Sequence, residues 1–230
     1  MPARFFPIKF LPRYRLLLLA GIAFLMSACA TNQRADYDYT AFRQSAPRSI
    51  LVLPPVNRSL EIAASYEFLS TTTLPLAESG YYVLPVAVTA ETFRQNGITV
   101  ADEAHALPLP KLREIFGADT ALYITIERYG VSYRLIESAV EVGAAARLVD
   151  LRSGQQLWEG SVYVADSSNQ NNSSGLLGML FNAIMHQIVH SISEQSTLRL
   201  AHTAGFQLLY ANPARHGILY GPYHPRYQTD

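Results

Sequence analysis

LVDLRSGQQLWEGSVYV, Leu148 to Val164, is the stretch that decides the fold class. Apolar and polar residues alternate toward Asp150, Arg152-Ser153-Gly154 supplies turn chemistry, and alternation resumes through Trp158, Val162 and Val164. Two runs of period two around a Ser-Gly turn predict an antiparallel hairpin with one face buried. Trp158, on the returning strand, reads as a packing aromatic, because a single Trp in a strand usually covers the sheet.

Upstream, the same reasoning gives four strand candidates: Ala118 to Tyr129, Val131 to Glu137, Ala139 to Asp150 and Gln155 to Ala165. Gly130, Ser138 and Arg152-Ser153-Gly154 are the expected breaks. Before them the period changes. SILVLPPVN, Ser49 to Asn57, predicts a short buried strand stopped by two prolines. Tyr66, Leu69, Leu74 and Leu76 form a partial helical stripe between Ala63 and Ser79, with a kink expected at Pro75 and a C-cap at Gly80. YYVLPVAV, Tyr81 to Val88, is strand-like; Thr89 is placed to cap a helix running to Asn96 and closed by Gly97. Pro110 to Phe116 predicts one more short helix, stopped by Gly117. Strand and helix units followed by a meander and a last helix imply an α+β domain, a mixed sheet layered with helices.

Downstream, Asp166 to Ser174 (DSSNQNNSS) is a polar loop. Leu176, Leu177, Leu180, Ile184, Ile188 and Ile192 then recur at helical spacing, predicting a long helix to about His202. The segment GLLGMLFNAIMHQIVHSI, Gly175 to Ile192, is more apolar than one neighbouring sheet requires, so Leu176, Leu177, Leu180 and Ile184 are candidate partner-binding residues, for a second copy or a different protein. From Ala211 the chain is rich in Tyr, Pro and His, and an irregular tail over 211–230 is expected.

The N-terminus carries a different message. Residues 1–28 hold Arg4, Lys9, Arg13 and Arg15 and no acid, followed by LLLLAGIAFLM from Leu16 to Met26. At about 1.5 Å per residue this run reaches roughly 16 Å, short of the roughly 30 Å hydrocarbon core. It reads as a secretory signal, 1–28, and not as a span. Ser27 and Ala28 lead into Cys29, the only cysteine of 230 residues, so no disulfide framework is available. MSAC resembles the bacterial lipobox, with Met26 where Leu is preferred; the resemblance implies cleavage between Ala28 and Cys29, a diacylglycerol on the Cys29 thiol and an acyl group, such as palmitate, on its amine. Ala30 stands where an inner-membrane retention Asp would be, which implies the outer membrane. Residues 29–48 are polar and aperiodic, as a tether would be, ahead of a periplasmic domain over 49–210.

Without the signal the charge is 14 basic against 18 acidic residues, about −4, and the arginines are scattered, which excludes a nucleic-acid stripe. For enzymes the case is thin. HQIVH, His186 to His190, has metal-ligand spacing, but Gln187 replaces the Glu that zinc peptidases need as base, leaving His186 and His190 as weak metal candidates. There is no GxSxG elbow and no phosphate-binding glycine loop. Neither a catalytic residue nor a cofactor is assigned.

With MSAC, SILVLPPVN, ALYITIERYG, LVDLRSGQQLWEGSV and GILYGPYHP on the page, the chain resembles the bacterial lipoproteins of domain of unknown function 799, of the meningococcal genome-derived antigen type. The resemblance implies a fold similar to the TolB N-terminal domain and to curli-channel-like and penicillin-binding-protein-activator lipoproteins. It also implies a shared envelope complex with a curli-channel-like lipoprotein. The function expected is a non-enzymatic, protein-docking component of the cell envelope; the alternative is a small-ligand carrier or metal enzyme with a site near His186 and His190.

Overall fold

The computed structural model describes residues 37–133, 138–167 and 189–229. The signal, Cys29, the polar loop beyond Ser167 and Leu176, Leu177, Leu180, Ile184 and His186 lie outside them, whereas Asp166 and Ser167, read as the start of that loop, end a strand; His190 falls on a described helix, without its side chain.

Tyr37 to Asp230 form one compact unit. After α1 (Thr40–Ser45) come β1 (Ser49–Val52) and β2 (Val56–Asn57), then α2 (Ala64–Ser70), α3 (Thr73–Glu78) and β3 (Tyr82–Val83). Three helices follow, α4 (Val86–Gln95), α5 (Ala101–His105) and α6 (Leu109–Phe116). Then come β4 (Thr120–Tyr133), β5 (Ser138–Asp150), β6 (Gln156–Ser167) and α7 (Val189–Leu209). The sheet order is β3-β1-β4-β5-β6, with β2 also on β4; β1, β2 and β3 run parallel to their neighbours, and β4, β5 and β6 are antiparallel. This is the mixed, helix-layered α+β sheet that the sequence implies.

Period two sorts the core into two layers. Ile50 and Val52 of β1 with Leu122, Ile124 and Ile126 of β4 face α2, α3 and α7. Leu51, Leu53, Ala121 and Tyr123 face α4, α5 and α6 through Phe93, Ala104 and Leu112. Trp158 is 1% exposed, pairs with Leu148 and donates from Nε1 to the His216 carbonyl at 2.9 Å. Gly160, two residues on, is obligatory: a Cβ there would meet the Trp158 ring at 2.4 Å. The hairpin turn is organised by Asp150, whose carboxylate accepts from the N–H groups of Arg152 and Ser153 and the hydroxyls of Ser45 and Ser153. Burial pushes this carboxyl's pKa up, but those bonds outweigh it and hold it below its ordinary value.

Several boundaries differ from the sequence reading. Gly130 ends no strand: at φ +99° it continues β4, opposite Glu141, just past a register shift at Ile126/Arg128, so two expected strands are one. The helical stretch before Gly80 breaks at Thr71 and Thr72, not at Pro75. Their hydroxyls bond back to the carbonyls of Phe68 and Leu69, while Pro75 sits in the first turn of α3, where a missing N–H costs little. Of that stripe Leu69 and Leu76 are buried, but Tyr66 and Leu74 face out and Phe68 takes the core position. Thr89 caps nothing: α4 starts behind Pro85, three residues before it, and Thr89 is buried within the helix.

Both ends of the described region are drawn into the fold. Tyr39 and Phe42, in the stretch read as tether, are buried, and Ile218 and Leu219 carry the irregular C-terminal segment into the same core. The last helix continues to Leu209, past His202. Where it crosses the α2–α3 junction, a Cβ on Gly205 would lie 2.3 Å from Thr71 Oγ1. Gly205→Val should therefore cost about 2 kcal/mol by overpacking and lower Tm by roughly 4–8 °C; an unchanged Tm would show that the crossing is not close.

Candidate functional site

After β2 the chain runs Asn57-Arg58-Ser59-Leu60-Glu61-Ile62, and its polarity is inverted relative to ordinary burial. The polar side chains turn back to hold the loop. Asn57 Oδ1 accepts from Ser59 N–H at 2.8 Å and Ser59 Oγ at 2.7 Å, and Asn57 Nδ2 donates to the Glu61 carbonyl at 2.7 Å. Glu61 Oε1 accepts from Ala63 N–H, and Arg58 is pinned at both ends, its N–H to the Ile126 carbonyl and its guanidinium to Asp102 at 2.7 Å. The apolar side chains point outward: Leu60 is 102% exposed, Ile62 91% and, one helical turn on, Tyr66 78%.

Behind this loop lies a crevice of about 460 Å³. It opens where the chain leaves β1 toward α2 on one face and leaves β3 toward α4 on the other, the position at which α/β sheets generally bind ligands. Ile62, Tyr66 and Val100 form raised walls; Ala90, Ala101 and Ala104 line it with small side chains. Its lining charges neutralise each other. Arg94 binds both oxygens of Glu91, at 2.7 and 2.6 Å, and Gln95 adds a third bond, which together hold the Glu91 carboxyl down to about 2. A smaller cavity of about 220 Å³ lies between α1 and the C-terminal segment, lined by Phe42, Arg43, Tyr81, Leu219, Tyr220 and Tyr227.

His105 lies behind the crevice lining, bonded to Pro54, which forms part of it. Its Nε2–H donates to the Pro54 carbonyl at 2.9 Å, its ring meets Tyr123 edge-on, and Arg147 lies 4.1 Å from the Tyr123 centroid. Burial pushes the His105 pKa down, aided by Arg147 and Arg58 and opposed by the Pro54 bond and Asp102. Its bond to Pro54 and its contact with Tyr123 make the imidazole a structural prop between α5, β4 and the segment after β1.

Leu176, Leu177, Leu180, Ile184 and His186 lie outside the described residues, and the His190 side chain is likewise undescribed. Among the described residues there is no group of three His, Cys, Asp or Glu able to hold a metal, and no helix long and apolar enough to cross a membrane. Leu60 and Ile62 were not singled out by sequence reasoning, and Tyr66 was read only as part of a helical stripe. The signal was the alternation Ser59-Leu60-Glu61-Ile62 shortly after Pro54-Pro55, which looks like a strand and is instead a loop tied by its own polar side chains.

Residues 37–223 match the family model "Putative lipoprotein GNA1162-like", and the chain belongs to that family. "Putative lipoprotein NMB1124/NMB1162" of Neisseria meningitidis serogroup B (strain ATCC BAA-335 / MC58) is 46% identical over 208 residues, 89% of this chain and 95% of that protein. The crystal structure of lipoprotein GNA1162 from Neisseria meningitidis is 50% identical, covers 63% of this chain and 99% of its own, and superposes with a TM-score of 0.51. A more distant likeness is the PelC dodecamer from Paraburkholderia phytofirmans, 13% identical over 71% of this chain and 84% of that one, at a TM-score of 0.39.

His105 has a folded-state pKa below the ordinary 6.5 or so, so the stability it contributes is complete above that value and is lost as pH falls through the lower folded value. Thermal unfolding at pH 7.5 and 5.5 should show a smaller Tm loss for His105→Gln than for the parent; equal losses would mean that His105 is not the group responsible.

Proposed function

We propose that this member of the GNA1162-like lipoprotein family is anchored in the outer membrane through a diacylated Cys29. Its periplasmic domain then serves as a non-enzymatic docking component of an envelope complex. The observation that carries the reading is the loop after β2, where a network of polar side chains holds Leu60 and Ile62 fully exposed beside Tyr66. A side chain left in water contributes nothing to folding, and burying each of these on a partner would gain about 1.5–3 kcal/mol. Contiguous apolar side chains held rigidly outward are the mark of a protein-protein contact.

The lipobox MSAC and the apolar run before it support the anchor itself. The first partner to test is the curli-channel-like lipoprotein that the family resemblance suggests.

Two measurements test this. The mass of the mature N-terminus should show Cys29 as the first residue, carrying diacylglycerol and an acyl chain; an unmodified or uncleaved N-terminus would end the anchor reading. In cross-linked outer membranes, Leu60→Asp should reduce recovery of the partner at least tenfold, one lost apolar anchor being worth about 1.4 kcal/mol or more. Undiminished recovery would show that docking does not use this loop.

A further inference from the structure

The smaller cavity, between α1 and the C-terminal segment, is bounded by backbone that packing holds in place on both sides. On the C-terminal side two glycines meet: a Cβ on Gly221 would lie 2.3 Å from the Gly80 carbonyl oxygen, and one on Gly80 2.4 Å from the His224 nitrogen. That close approach lets the N–H groups of Gly221 and Tyr223 donate to the Ser79 and Gly80 carbonyls, at 2.8 and 3.1 Å, and seats the segment beside Tyr81. Turns closed by Tyr227 N–H on the His224 carbonyl and Thr229 N–H on the Arg226 carbonyl then bring Tyr227 and Gln228 to the cavity. On the other side α1 ends at Ala46, whose N–H donates to the Phe42 carbonyl at 3.0 Å. Ala46 and Gln228, at φ +44° and +62°, are two of the three non-glycine residues with left-handed backbone among the described residues, and both line this cavity. L-residues adopt that conformation only where the surroundings impose it, and such places cluster at ligand clamps.

The lining is aromatic and its charge has one sign. Phe42, Tyr81, Tyr220 and Tyr227 supply rings, and the Tyr81 hydroxyl is committed to the Leu219 carbonyl at 2.7 Å. Arg43 lines the cavity, and among the described residues no acid does. Asp38 lies within electrostatic reach of Arg43, but its carboxylate accepts the Thr40 N–H. Arg226 stands beside the cavity, Nη1 3.3 Å from the Tyr220 hydroxyl, and makes no ion pair among the described residues. The volume of about 220 Å³ sets the size of a guest. An apolar cavity of about 150 Å³ takes benzene, so this one holds a single ring with a short arm. Ring walls favour an aromatic guest, and two guanidiniums favour a carboxylate on it and repel an amine. We propose that the cavity binds a small aromatic carboxylate, the ring among Phe42, Tyr81, Tyr220 and Tyr227 and the carboxylate toward Arg43 and Arg226. The site shares no residue with the loop after β2, so it stands or falls apart from the docking reading. Tyr227 and Gln228 follow residue 223, where the match to the family model ends, so part of the wall lies outside that match.

The test is calorimetric titration of the purified full-length protein with phenylacetate, with acetate as the control for the ring and 2-phenylethylamine as the control for the charge. Phenylacetate should bind one to one with a Kd of about 1 mM or tighter, within reach of a guest of about ten non-hydrogen atoms, and about tenfold or more tighter than either control. Arg43→Gln combined with Arg226→Gln, both at exposed positions, should keep the parent's Tm and weaken phenylacetate by about tenfold or more. Tyr227→Ala should weaken it by about fivefold, while Tyr227→Phe, which keeps the ring, binds as the parent does. An amine that binds as tightly as the acid, no saturable binding of phenylacetate below about 10 mM, or parent-like binding by the double arginine variant would each overturn the proposal.

Discussion

The structure depends on one constraint, that β1 and the first half of β4 are buried on both faces. Ile50 and Val52 point one way and Leu51 and Leu53 the other, all at 1% exposure or less, and Leu122 and Ala121 repeat the division on the neighbouring strand. Neither face can be left to water, so the chain must send helices to both. It sends α2 and α3 to one side after β1 and β2, and α4 to α6 to the other after β3. The crevice is the geometric consequence, since two connections that part toward opposite faces leave a gap at the ends of the strands they leave. A site at that place thus requires no special element, only side chains suited to its occupant.

What distinguishes this molecule is how the gap is furnished. Catalytic crevices gather titratable groups with shifted protonation, and here such groups are neutralised or used as struts. Glu91 and Arg94 close on each other, Asp102 holds Arg58, and His105, its pKa pushed down by burial, braces the Pro54 carbonyl. The hydroxyl of Tyr129 is bound to Glu67 at 2.6 Å and is pushed far above its ordinary pKa by burial and that carboxylate, which ties β4 to α2. With these charged groups committed to structure, Leu60, Ile62 and Tyr66 stand exposed beside them, the first two on a loop tied by its own side-chain hydrogen bonds. Such preorganisation favours association by removing the ordering cost that a flexible loop would incur.

Where local pattern and tertiary packing agree, the fold was legible in the sequence. The hairpin around Arg152-Ser153-Gly154 and the buried Trp158 follow from period two and turn chemistry, and the strand SILV from a continuous apolar run stopped by two prolines. Legibility failed where a residue plays an unusual part for its type. Gly130 looks like a stop but passes a left-handed backbone through a strand; Thr71 and Thr72 look neutral but end a helix through their hydroxyls; Thr89 looks like a cap but is buried beneath Pro85's helix start. The stretch around Tyr39 and Phe42 has no period because single aromatics, not a stripe, dock it, and the segment through Ile218 and Leu219 is held in the same way. The loop at Leu60 was the most consequential omission, since its alternation is that of a strand and only the tertiary structure shows Asn57 and Ser59 turning inward.

The central claim is that Leu60 and Ile62 serve association and not the fold, and the most direct measurement is the thermal unfolding of Leu60→Asp combined with Ile62→Asp in the isolated full-length protein. With both side chains already in water, the account predicts a Tm within about 4 °C of the parent, because exposed substitutions away from the core usually change stability by no more than about 0.5 kcal/mol each. A fall of 8 °C or more would contradict it, showing that these side chains are packed against the domain they belong to and that the loop is part of the core.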